Sequence, residues 1–167
     1  MQPLPALFDR VNACASLFLR SINEMGINQV EIIIEEAVVN EALRGKMDPT
    51  QLPSELSFLL DSAAPIESVP GCQAFRLYWK GYAAYLVTEE CVGSCGHFED
   101  EVFEGDRLRI YSKSHFLDHL ARDTGAHGEL IHYKITCENH LVDIAAEEPP
   151  VIEAIPHQEW TWIKSGR

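Results

Sequence analysis

Leu7, Val11, Cys14, Phe18, Ile22 and Met25 recur at intervals of three or four, and this spacing predicts an amphipathic helix that stops at Gly26. A second stripe, Val30, Ile33, Ile34, Ala37 and Val38, predicts another helix, with Asn28 and Glu31 placed for a capping box and Gly45 for a C-cap. The same stretch, Val30-Glu31-Ile32-Ile33-Ile34, is β-branched enough for a strand. The helix is the expectation carried forward. Ser54 is placed to cap a short third helix through Phe58, Leu59 and Leu60, closed by Pro65.

From Ile66 onward the period falls towards two. Phe75, Leu77 and Trp79 alternate with Ala74, Arg76 and Tyr78, and the run 82–88 follows Lys80-Gly81, which reads as a β-hairpin. Leu108-Arg109-Ile110-Tyr111 predicts a further strand, and Ser114 is placed to cap a helix carrying Phe116, Leu117, Leu120 and Ala121 that ends near Gly125. Ile131, Tyr133, Ile135 and Cys137 alternate again, Glu138-Asn139 supplies a turn, and Leu141 to Ala145 returns. Pro149-Pro150 then leaves Val151 to Ile155 as an edge strand. The order predicts one α+β domain over 1–167, with a helical part at about 1–62 and a sheet part at about 66–156. N-terminal helices would pack on a mainly antiparallel sheet with one inserted helix. Leu77, Trp79, Ile110, Tyr133, Ile135 and Val142 or Ile144 are the expected core.

Charge changes the functional picture. Twenty-six Asp and Glu against 13 Lys and Arg give a formal net charge of −13. Such a balance disfavours nucleic acid and anionic membrane surfaces and favours a basic partner. No run approaches a membrane span, and no leader-like segment precedes Asp9 and Arg10. Five scattered cysteines, an odd number, suit a reducing cytoplasm.

Several constellations could carry chemistry. Cys91, Cys95 and His97 lie in a Gly-containing loop with the ligand types that zinc takes, but a fourth ligand would have to come from Cys72, Cys137 or a distant histidine. They make a metal-binding protein or metal-dependent enzyme the alternative reading, and no metal or cofactor is assigned. His115 and His119 share one face of the predicted helix beside Asp118, yet Phe116 stands where a metalloprotease would carry its glutamate. His132, Lys134 and Thr136 should share the sheet face opposite the core, where His132 and Asp143 of the neighbouring strand can pair. Gly93-Ser94-Cys95-Gly96 is out of register for a nucleophile elbow, and no phosphate-binding glycine loop or calcium-hand spacing occurs. Tyr78, Trp79, Tyr82 and Tyr85 suggest a third reading, a small-molecule binder.

Acid segregation is the strongest of these signals. Glu89, Glu90, Glu99, Asp100, Glu101, Glu104 and Asp106 fall in one interval without a Lys or Arg, interleaved with Phe98, Val102 and Phe103. Asp143 to Glu159 is likewise free of Lys and Arg. An acidic surface with apolar anchors is suited to meeting a basic protein, and Glu89, Glu90, Phe98, Glu99, Asp100, Glu101, Phe103, Glu104 and Asp106 are the expected contact residues.

The pieces Tyr85-Leu86-Val87-Thr88-Glu89-Glu90, Phe103-Glu104-Gly105, Arg109 to Leu117, His132-Tyr133 and Asn139 to Ile144 resemble a group of small acidic bacterial proteins of unassigned function. In size and acidity these are similar to the immunity proteins that accompany polymorphic toxins. The resemblance covers roughly Tyr85 to Pro150. It implies an immunity role, the neutralising of a basic toxin, and it implies no particular chemistry.

Overall fold

A computed structural model describes residues 6–46, 63–92, 99–124 and 129–157. The chain begins with helix α1 (Ala6–Asn12), then runs through β1 (Ser16–Gly26) and β2 (Gln29–Val39), followed by a short 3-10 turn at Glu41–Leu43. Next come β3 (Ile66–Glu67), β4 (Ala74–Trp79), β5 (Ala84–Glu89), β6 (Val102–Glu104) and β7 (Leu108–Lys113). Helix α2 (His115–Thr124), β8 (Ile131–Thr136), β9 (His140–Ala146) and β10 (Val151–Ile155) complete it. One sheet has the order β1-β2-β4-β10 with β3 on β2, and the other has the order β5-β9-β8-β7-β6. All pairings are antiparallel.

The α+β expectation holds only broadly, because the described chain is dominated by strands. The predicted N-terminal helical layer is instead a helix of less than two turns followed by the long β1–β2 hairpin. The misleading spacing has a physical source. The stripe mixed two faces: Leu17 and Leu19 point to the core and Phe18 away from it, and a register shift between Leu19 and Ser21 inserts one extra residue that returns Ile22 to the inward face. β2 misleads for a second reason. It is an inner strand covered on both faces, with Val30, Ile32 and Ile34 in the core and Glu35 and Ala37 buried as well, which hides the period of two. The third predicted helix, at Ser54 to Leu60, lies outside the described residues.

The β4–β5 hairpin is a further correction. β4 pairs with β2 on one side and β10 on the other, so neither edge is open to β5, which pairs with β9 in the opposite sheet. Residues 80–83 therefore carry the chain from sheet to sheet. β7 to β10 fall where periodicity puts them, with β8 and β9 as the expected hairpin, β10 as an edge and α2 starting after Ser114, whereas the short strands β3 and β6 were not expected.

The two sheets bury their inner faces against each other. Leu17, Ile32, Ile34, Phe75 and Leu77 from one meet Leu108, Tyr133, Ile135, Val142 and Ile144 from the other, and Phe8 and Val11 of α1 plug one end. At the centre the rings of Trp79 and Tyr133 meet edge to face, 5.7 Å apart. Burial pushes the Tyr133 phenol up to about 12. The expected core is therefore correct, except that Ile110 is only partly buried and the facing layer is a sheet.

Trp79 is 1% exposed, and its indole nitrogen has no hydrogen-bond partner among the described residues. Trp79→Ala should therefore cost about 3–5 kcal/mol, the usual range for emptying a large buried aromatic site. Trp79→Phe should recover most of that loss, because it keeps ring contacts and removes the unpartnered donor. Urea titration of both variants checks this ordering.

Candidate functional site

Strand β8 presents Ile131, Tyr133 and Ile135 to the core, so His132, Lys134 and Thr136 necessarily point to the outer face of the second sheet. Register places Asp143 of β9 opposite Lys134, diagonal to His132, and places Tyr111 of β7 opposite His132. His132 Nε2 lies 2.9 Å from Asp143 Oδ1, and its Nδ1 lies 2.8 Å from Ser114 Oγ. The imidazole is 2% exposed, stacked on Tyr111 with centroids 4.3 Å apart and flanked by Phe116 at 5.0 Å. Lys134 Nζ approaches the same Asp143 oxygen at 3.6 Å. The Asp143 carboxylate only accepts, so His132 donates from Nε2, and the Ser114 hydroxyl, able to donate or accept, satisfies Nδ1.

Serine, histidine and aspartate in a row invite comparison with a hydrolase, and two features decide against it. In serine hydrolases Nε2 faces the serine and Nδ1 the carboxylate, and here the ring nitrogens are exchanged. Ser114 is also only 4% exposed, and its oxygen accepts the Leu117 N–H at 3.2 Å as the cap of α2. The row therefore fastens the first turn of α2 onto the sheet. Sequence reasoning anticipated the His132–Asp143 pair but missed Ser114 as its third member. Its place as the cap of α2, directly after β7, was the available signal.

The predicted acidic surface is divided. Glu89 and Glu90 lie at the end of β5, whereas Glu99 to Asp106 surround β6, and these two strands are opposite edges of one sheet. Four strand spacings separate them, about 19 Å. Phe98 lies outside the described residues. Around β6 the acids have different duties. Asp100 bonds Lys113 Nζ and His115 Nε2, both at 2.8 Å, and Glu101 accepts the His115 backbone N–H at 2.9 Å. These contacts tie the strand to the start of α2. Glu99, Glu104 and Asp106 are exposed, with no ion pair to the described residues. Val102 is 55% exposed, whereas Phe103 tilts against Tyr111 at 5.0 Å and lies under the Arg109 guanidinium at 4.6 Å.

Asn12 fixes the far end of this edge. Its Oδ1 accepts the backbone N–H groups of Asp106, Arg107 and Leu108 at 2.7, 2.8 and 3.0 Å. Gly105 takes φ +88° there, and a Cβ would stand 2.1 Å from the Leu108 carbonyl, so the turn requires glycine.

The metal alternative gains nothing from the geometry. Cys95 and His97 lie outside the described residues, and among the described residues no group of three or more metal-ligating side chains converges. Glu90 and Glu89 push the exposed Cys91 thiol up, away from the thiolate that binds metals. His115 and His119 each face their own carboxylate, Asp100 and Asp123, instead of converging. No described helix is long and apolar enough to cross a membrane. Comparison with family models, with curated proteins and with solved structures returns no match.

Two measurements follow from this geometry. His132→Phe keeps the stack but removes one hydrogen bond each from Ser114, left with the Leu117 N–H, and from Asp143, left with Lys134, and should cost about 1–3 kcal/mol in denaturant titration. Asp100 is held at about 2, down from 3.8, first by the hydrogen bond from Lys113 and then by that from His115. Its folded value is lowered, so the tie is fully present above 3.8 and is lost as pH falls through about 2. Lys113→Ala should bring the Asp100 midpoint back towards 3.8 in a carbon-detected NMR titration.

Proposed function

We propose that the protein is an acidic protein-binding module whose contact surface is the β6 edge. The observation that carries this reading is the strand itself. Among the described residues Val102 to Glu104 pairs with β7 alone, so its other edge has no strand partner there, and Val102 is exposed as an apolar anchor. Around it the carboxylates of Glu99, Glu104 and Asp106 form no ion pair with the described residues. Asp100 and Glu101 support the surface from behind by holding β6 on α2. The net charge of −13 speeds encounter with a basic protein and disfavours nucleic acid. A cytoplasmic immunity role, with a toxin as the basic partner, is the form implied by the sequence resemblance, and the burial and bracing role of the Ser114–His132–Asp143 row favour binding over catalysis.

Charge reversal should therefore target Glu99, Glu104 and Asp106 and leave the bracing pair Asp100 and Glu101 intact. Wild-type chain and the triple variant Glu99→Lys/Glu104→Lys/Asp106→Lys serve as parallel baits for proteins of the native host. A basic protein held in a one-to-one complex by wild type at low salt, released by added salt and not retained by the variant, is the expected outcome. Equal retention by both baits would remove the β6 edge as the contact surface.

A further inference from the structure

The pass between the sheets builds a second feature, remote from β6. At the end of the sandwich where β4 leaves one sheet and β5 enters the other, a groove of about 430 Å³ opens. This is within the range of small-molecule sites, roughly 300–1,000 Å³. It is lined by Asn28 from the β1–β2 turn, Lys80 and Tyr82 from the pass, Leu130 before β8, and Glu147 and Glu148 after β9.

Its floor is fixed by the backbone on both sides. Tyr82 N–H donates to the Asn28 carbonyl at 2.9 Å, and Ala83 N–H donates to the Ala145 carbonyl at 2.8 Å, so one loop is fastened to both sheets. The Tyr82 ring is held as well. Its hydroxyl and that of Tyr85 both reach Glu24 Oε1 at 3.2 Å, and the two rings meet edge to face at 5.2 Å. Of the four aromatic residues singled out in this stretch, Tyr82 alone lines the groove. Trp79 is in the core, and Tyr78 is turned to Gln29 with a 2.8 Å hydrogen bond.

The lining charges are opposite in sign and do not neutralise one another. Lys80, Glu147 and Glu148 are exposed and form no ion pair with any described residue. One cation and two carboxylates around a fixed aromatic face and the Leu130 side chain make a specific demand on a ligand. It needs one carboxylate, two cationic groups and an apolar stem. We propose that this groove is a binding site for a basic amino acid, with its carboxylate on Lys80, its cationic groups on Glu147 and Glu148, and its stem across Tyr82 and Leu130. The Tyr82 face adds cation–π attraction for a guanidinium or ammonium group. The site uses different residues from the β6 edge and stands independently of it.

Calorimetric titration with L-arginine as probe tests the assignment, with agmatine, which lacks the carboxylate, as comparison. Saturable one-to-one binding of arginine is expected, with agmatine weaker by about tenfold or more. Lys80→Ala should erase that preference, and Glu147→Gln/Glu148→Gln should weaken both ligands by about tenfold while leaving circular dichroism and melting unchanged. The Glu99→Lys/Glu104→Lys/Asp106→Lys variant should bind arginine as wild type does. No saturable heat up to about 10 mM, equal affinity for arginine and agmatine, or indifference to the Glu147/Glu148 substitutions would overturn the proposal. Loss of binding in the β6 variant would also overturn it, by moving the arginine to the other surface.

Discussion

Two twisted sheets with apolar inner faces have one way to dry both at once, and the packing of Trp79 on Tyr133 is the centre of that solution. Everything outside the interface is then a matter of covering or bracing what the sheets leave over. The outer face of the first sheet carries Glu35, 1% exposed, which is bonded by Arg20 at 2.7 Å and Ser68 at 3.1 Å. Ser68 also meets His157 at 3.0 Å. On the outer face of the second sheet His132 plays the corresponding part, holding α2 through Ser114. Each sheet thus secures an overlying segment through a serine hydroxyl bound to a buried ionisable side chain.

Side-chain amides supply the joints that strand pairing cannot. Asn139, in the β8–β9 turn, accepts the Leu19 N–H at 2.9 Å and donates to the Leu19 carbonyl at 3.0 Å, standing in for a strand residue beside the β1 bulge. Glu138 N–H reaches the Leu17 carbonyl at 2.8 Å, so a turn of the second sheet is stitched to the edge of the first. Asn12 does the same service for the β6–β7 turn with three bonds to one oxygen. Backbone donors that no strand partner meets are paired elsewhere, and in these two places the chain pairs them with asparagine. The exposed acids of the β6 edge consequently stand on a braced strand, which limits the ordering entropy that the proposed partner would have to offset.

Much of the second half of the chain was legible because β4, β7 and β8 alternate apolar with polar residues in sequence, even where both faces are covered. Ile131, Tyr133 and Ile135 told the faces of β8 apart, and with them the position of His132 opposite the core. The first half was not, because a bulge at Leu19–Ser21 and a strand buried on both faces each destroy the alternation that marks a strand. Pairing was the other blind spot. Nothing local in Lys80-Gly81 distinguishes a hairpin turn from a pass between sheets, since the outcome depends on β10 occupying the edge of β4. The acidic interval failed as one patch for the same reason: proximity along the chain does not survive when its two ends are assigned to opposite edges.

The pass at 80–83 also bears on how the molecule forms. Because β4 is not paired with its successor, its second neighbour is β10, with Val151 opposite Tyr78, while β5 waits for β9, with Tyr85 opposite Ile144. Both contacts close long loops whose entropy is lost before any pairing rewards it. Sandwiches built this way fold over roughly milliseconds to seconds, far slower than helical bundles. Until β10 arrives, β4 presents an unpaired edge bearing Phe75, Leu77 and Trp79, so its exposure to other chains during folding is governed by the last strand to dock.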